Sequence, residues 1–250
     1  MHLLLTGATG VAGLAVYRAA LADPAITHIT LLTRRLFPAW TAAELPPNAP
    51  VKTTVLLHSD FLAYPPDIMR VLGCADACVW ALGRNALGMR EEAYTEVTWA
   101  YAMAAVMALC EAGVGMGRAA GSEFRFVFVS AEGTDSEVMG RPGRMWATVK
   151  RKTELDLAAF CANSVGMKAH ILRLGYFFPS SKYAEVRRNP RDLPLQCTDC
   201  IMAPLLSFMA PTLSTPRHDL AWCAVELAKG RWPDKALVRS EEITQLTKKL

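Results

Sequence analysis

Three glycines, Gly7, Gly10 and Gly13, lie between an apolar run, Leu3-Leu4-Leu5-Thr6, and a helical pattern through Leu14, Val16, Tyr17 and Leu21 that stops before Pro24. Glycine reaches the backbone angles of a tight turn without steric penalty. The first turn of a helix presents unpaired N–H groups and the positive end of its dipole. Strand, glycine turn and helix start together predict a phosphate site built from Gly7, Thr9, Gly10, Val11, Ala12 and Gly13. The spacing is G-x-x-G-x-x-G, which departs from the commoner G-x-G-x-x-G fingerprint. Its place between strand and helix gives the pattern its weight; the bland alternative is a tight turn without a ligand. A second constellation is Trp146 and Lys150 in Trp-Ala-Thr-Val-Lys. Residues four apart share one helix face. An aromatic and a lysine at this spacing match a known catalytic pair, except that the aromatic is not a tyrosine.

Six apolar or β-branched runs must position these residues: 2–6, 29–33, 53–58, 77–82, 124–130 and 168–174. Helical patterns at 11–22, 67–72, 91–112 and 144–163 lie between most of them. Near-continuous apolar strands alternating with helices predict a parallel sheet covered on both faces, in a doubly wound α/β (Rossmann) fold. The chain reads as one domain over 1–250. Within it, residues 175–250 make a small C-terminal substrate-side subdomain: the proline-rich stretch 175–216 forms the lid and substrate wall, and helices at 217–229 and 241–249 close the chain, with Ser240 as the cap of the last helix. Ligands of such sheets bind beyond the carboxyl ends of the strands, where strand order reverses. Arg34 and Arg35, Asp60 and Phe61, Ala81-Leu82-Gly83, Ser130, and the segment from Gly175 to Pro179 all fall at those ends.

The 250 residues are 52% apolar with a net charge of +4, enough for one domain with a sizeable core and too weakly basic to indicate nucleic-acid binding. The apolar stretch 201–213 is broken by Pro204 and Pro211 and is too short to span a bilayer; it reads as a pocket wall, with peripheral membrane contact as the alternative. A strand starting almost at Met1 leaves no room for a signal or transit peptide, and seven cysteines are an odd number. Both features predict a reduced, cytoplasmic protein. Cys197 and Cys200 have metal-like local spacing but no second ligand pair, so no metal is expected.

On these residues the chain resembles the extended and atypical short-chain dehydrogenase/reductase family, closest to its small NAD(P)-binding fungal-type members. The resemblance covers most of 1–180. It rests on the Gly7–Gly13 segment, Arg34, His58-Ser59-Asp60-Phe61, Val149-Lys150, and Leu172-Arg173-Leu174-Gly175-Tyr176-Phe177-Phe178-Pro179. It implies that the glycine loop holds the pyrophosphate and Asp60 the adenine amino group. Phe61 would line the adenine and Ala81, Leu82 and Gly83 would pass the ribose. Lys150 would hold the nicotinamide ribose, and the backbone at Phe177 and Pro179 the carboxamide. Strand two supplies its own argument. A carboxylate there suits the ribose 2′-OH of NAD, whereas an arginine suits the 2′-phosphate of NADP. Thr33-Arg34-Arg35 offers guanidinium groups and no acid, so NADP(H) is expected over NAD(H).

The chain also departs from the family. The family's chemistry uses Tyr-x-x-x-Lys, and here Trp146 stands in the tyrosine position, where an indole N–H cannot titrate. A positioned general acid contributes roughly 10²–10⁴ in rate. Ser130 is the serine candidate, although Ala131 occupies the place where the catalytic serine tends to lie. Tyr94, Tyr101, Tyr176, Tyr183, Glu132 and Asp135 are possible substitutes, and His218 reads as a surface histidine. The catalytic candidates are therefore Lys150, Ser130 and Trp146. The expected function is an NADP(H)-dependent oxidoreductase acting on a small or medium hydrophobic carbonyl, imine or alkene. The alternatives are a non-redox isomerase, dehydratase or cyclase, and an NADPH-sensing protein-binding module.

Overall fold

The carboxyl ends of the strands His2–Thr6 and Ala77–Trp80 meet where the chain reverses its direction of winding. The computed structural model describes residues 1–37, 45–119, 121–135, 145–175 and 217–248. Its strands are β1 (His2–Thr6), β2 (His28–Thr33), β3 (Thr53–Leu57), β4 (Ala77–Trp80), β5 (Phe124–Ala131), β6 (Met167–Leu174) and β7 (Leu237–Val238). They form one sheet in the order β3-β2-β1-β4-β5-β6-β7, with every pair parallel. β1 pairs with β2 on one side (Leu3 with Ile29) and with β4 on the other (Leu3 with Ala77). That is the switch point of a doubly wound sheet, and the glycine loop leaves β1 there.

The helices are α1 (Val11–Ala22), the single turn α2 (Ala49–Lys52), α3 (Pro66–Leu72), α4 (Glu91–Thr95), α5 (Tyr101–Glu111), α6 (Met145–Ala162), α7 (Arg217–Lys229) and α8 (Ser240–Thr247). A π-helical stretch, Glu96–Ala100, joins α4 to α5. Alternation along the strands sends successive side chains to opposite faces. Leu3, Leu5, Ile29, Val79, Val127 and Leu172 pack with α1 and α7 in one core. Leu4, Leu32, Cys78, Trp80, Phe126 and Phe128 pack with α5 and α6 in the other.

Leu220, Cys223 and Val225 of α7 belong to the same core as Leu14 and Val16 of α1, and β7 extends the sheet. One expectation is corrected. Ser240 is the first residue of α8 rather than its cap. The cap is Arg239, whose backbone N–H donates to Glu242 Oε2 at 3.1 Å. The stretch 176–216, and with it Phe177, Pro179, Tyr176, Tyr183, Cys197, Cys200 and 201–213, lies outside the described residues.

The two helices of the first core are also tied at their ends. Asp23, the buried C-cap of α1, accepts Lys229 Nζ of α7 at 2.7 Å and the Ala25 N–H at 2.8 Å. Burial alone would raise the Asp23 pKa, but these bonds hold it below the ordinary aspartate range. A depressed folded-state pKa gives stability that is present above the unfolded value and is lost as pH falls through the folded one. Asp23→Asn should cost about 1.5–3 kcal/mol in urea denaturation at neutral pH. The difference from the unmodified protein should shrink on acidification.

Candidate active site

Steric exclusion explains two of the three glycines. Gly7 has φ +68°, and a Cβ on it would lie 2.3 Å from the Ala81 carbonyl oxygen. A Cβ on Gly13 would lie 2.1 Å from the Gly7 oxygen. The loop is therefore pressed against the end of β4 on one side and against the first turn of α1 on the other. Thr6 Oγ1 ties the same corner by accepting the Leu82 N–H at 3.3 Å.

Gly10 differs from both. Its N–H donates to Gly7 O at 2.8 Å, and an added Cβ would meet only that oxygen, at 3.2 Å. It is the N-cap of α1, and no side chain caps the helix there. The N–H groups of Val11, Ala12 and Gly13 have no intrahelical acceptor by geometry, so the helix start opens beside exposed Thr9 and Gly10 with donors to offer.

Around this corner, Arg34 and Arg35 are exposed at the end of β2, and Asp60 is exposed beyond β3. Asp60 Oδ1 accepts the Leu62 N–H at 2.9 Å. Ala81 and Leu82 are half-buried, and Gly83 is exposed with nothing within 4 Å of an added Cβ. These residues line one end of the sheet, as the sequence predicts. Phe61 is the exception. Its side chain is fully buried, stacked on Tyr101 at 5.7 Å between ring centroids and edge-on to Trp80 at 6.0 Å. It supports the floor of this corner and has no ring surface to give an adenine.

Ser130 is also corrected. It is 3% exposed, and its hydroxyl donates to Glu154 Oε1 at 2.6 Å. Its hydroxyl is thus engaged by a buried carboxylate rather than open to a ligand. Glu154 is 2% exposed and also accepts Thr134 Oγ1 at 3.2 Å, Arg151 Nη1 at 3.3 Å and Arg173 Nη2 at 2.7 Å. Arg173, fully buried on β6, donates in addition to Asp135 Oδ1 at 2.6 Å. Asp135 Oδ2 accepts Arg239 Nη2 at 2.9 Å, and Glu132 Oε1 accepts the Ser240 N–H at 2.8 Å. This alternating chain of charges joins α6, the end of β5, β6 and the start of α8. Sequence reasoning passed over it. The available signal was an arginine inside the apolar run Leu172-Arg173-Leu174 and a glutamate one turn after Lys150, since buried charges must find partners.

Trp146 and Lys150 are half-buried on α6. Lys150 Nζ lies 6.0 Å from the centroid of the Phe128 ring on β5. Removal from water lowers its pKa to about 8, with Glu154 pulling the other way. Tyr94 is buried in the protein. Tyr101 donates to Glu96 at 2.8 Å, and that bond raises its pKa, with Arg34 among the charges acting on it. It belongs to the Arg34–Phe61 corner. His218 is exposed on α7, where its Nε2 accepts Trp222 Nε1 at 2.8 Å. Among the described residues no cluster of three or more metal-ligating side chains occurs, and no helix is long and apolar enough to cross a membrane.

No family model and no curated protein sequence matches the chain. Solved structures do. The PhqB reductase domain from Penicillium fellutanum aligns over 96% of this chain and 66% of its own, at 13% identity and a TM-score of 0.66. An actinorhodin polyketide ketoreductase variant with NADPH aligns over 95% of this chain and 94% of its own, at 17% identity and a TM-score of 0.66. The UDP-glucuronic acid 4-epimerase from Bacillus cereus in complex with NAD aligns over 74% and 59%, at 15% identity and a TM-score of 0.53. The chain thus spans under two thirds of the length of two of these three. Identities this low speak to architecture, and the architecture is the doubly wound Rossmann fold that these reductases and this epimerase share.

Proposed function

We propose that this chain is a short-chain dehydrogenase/reductase that binds NADP(H) and reduces a small or medium hydrophobic carbonyl, imine or alkene. The observation that carries the reading is the uncapped start of α1 beside Gly10, where space for a phosphate and backbone donors coincide at the sheet's switch point. The residues present fit such a cofactor. Val11, Ala12 and Gly13 would offer N–H groups to the pyrophosphate. Exposed Arg34 would pair with a ribose 2′-phosphate, where no carboxylate on β2 stands to repel it. Lys150 would hold the nicotinamide ribose, and Trp146, one turn before it on α6, would form an apolar wall for the substrate. The bound cofactor supplies hydride chemistry; the protein supplies position, exclusion of water and a proton.

The absence of the tyrosine, together with the commitment of the Ser130 hydroxyl to Glu154, favours one second reading. It is a non-redox reaction such as an isomerisation, with the cofactor held but not consumed. Calorimetric titration with NADPH, followed by absorbance measurements of NADPH oxidation over a panel of hydrophobic carbonyls, separates the two. Net oxidation supports the reductase. Product formation at constant NADPH supports the isomerase. Failure to bind either nicotinamide dinucleotide rejects both.

A further inference from the structure

Among the described residues of the site, few groups are free to release a proton. Ser130 and Thr134 both donate to Glu154. Asp135 is engaged by Arg173 and Arg239, and Glu132 by Arg239 and the Ser240 N–H. The Trp146 indole does not titrate. Lys150 differs from all of these. Among the described residues no hydrogen bond or ion pair engages its ammonium, which lies 6.0 Å from the centroid of the Phe128 ring. Among the described residues, the charge that acts on it is Glu154, on its own helix. That carboxylate is already saturated by Arg173 from β6, Ser130 from β5, Thr134 from the following loop, and Arg151.

We propose that Lys150 is itself the proton carrier of the reduction, in the role that the tyrosine holds in the family this chain resembles. The inference rests on the reductase reading. Lys150 Nζ gives one proton to the carbonyl oxygen as the carbonyl carbon accepts a hydride, and the C=O π pair becomes the new O–H bond. The carbonyl is reduced, the nicotinamide donor is oxidised, and the neutral amine regains its proton from water. A lysine packed near an aromatic ring, with no hydrogen-bond or ion-pair partner among the described residues, is suited to this task, because removal from water brings its pKa to about 8, close to working pH. An arginine at the same place would hold a ribose but could not release a proton.

Three readouts on the unmodified protein, Lys150→Arg and Lys150→Met test the assignment. These are NADPH affinity, single-turnover NADPH oxidation with decanal and cyclohexanone across pH, and acetic anhydride labelling of Lys150 against pH, mapped by mass spectrometry. In the unmodified protein, Lys150 should label with a midpoint near 8, below the exposed lysines. Its oxidation rate should be full below that pH and fall above it. Lys150→Arg should keep cofactor affinity within a few-fold and lose about 100-fold or more in rate, whereas Lys150→Met should lose both. Full rate in Lys150→Arg, or a Lys150 midpoint no lower than that of the exposed lysines, overturns the proton role and leaves the reductase reading intact. NADPH binding without oxidation of any carbonyl by the unmodified protein overturns the reductase reading, and the proton role with it.

Discussion

Glu154→Gln is expected to cost the protein about 3–5 kcal/mol, the range for leaving one member of a buried ion pair uncompensated. The variant keeps the shape of the side chain and can still accept the Ser130 hydroxyl. It removes the charge that faces Arg173, which has no exposure of its own. Asp135 remains as a second partner but is 42% exposed, so it offsets only part of the loss. Urea denaturation measures the effect. The double replacement Glu154→Leu with Arg173→Met is the control. Exchanging both charges for apolar groups of similar volume removes the desolvation burden together with the attraction, and should recover most of the stability. A Glu154→Gln cost below about 1 kcal/mol, the range of a surface pair, would show that Arg173 does not depend on Glu154.

Gly10→Val is expected to abolish cofactor binding while leaving the fold standing. Gly7 and Gly13 cannot serve for this test, since a Cβ at either would strike backbone and confound binding with folding. At Gly10 the added Cβ meets only the Gly7 oxygen, at 3.2 Å, and the branched side chain projects over the open start of α1. It would stand where a pyrophosphate must lie to reach the N–H groups of the first turn. Loss of even two charge-assisted hydrogen bonds, at about 1.5–3 kcal/mol each, lowers affinity by about 100-fold or more. Circular dichroism and a thermal melt establish that the variant is folded. Undiminished NADPH affinity in a folded Gly10→Val protein would reduce the loop to a turn.

The strands that place this loop were legible because strands buried on both faces read as near-continuous apolar and β-branched runs. β1, α1 and α7 match their predicted limits, and the other main strands shift by no more than two residues at an end. The elements that escaped are short. α2 is a single turn containing Pro50, and β7 has two residues, too few to show any period. The glycine loop was legible because its requirements at Gly7 and Gly13 are backbone requirements, and glycine meets them where a Cβ would strike backbone. The roles of Ser130 and Phe61 were not legible, because they depend on tertiary partners. Glu154 captures the serine from 24 residues away, and Tyr101 covers the phenylalanine from α5. Sequence placed both residues at the correct end of the sheet without revealing that each was already occupied.

The most direct test of the account is a paired titration of the unmodified protein and Arg34→Ala with NADPH and NADH. Arg34 is exposed at the end of β2, so its removal should leave the fold unchanged. A hydrogen bond to a charged group is worth about 1.5–3 kcal/mol, so Arg34→Ala should weaken NADPH roughly ten- to a hundredfold. NADH affinity should barely change. The unmodified protein is expected to prefer NADPH by a similar factor. Equal affinity for the two cofactors in the unmodified protein, or no binding of either, would contradict the account.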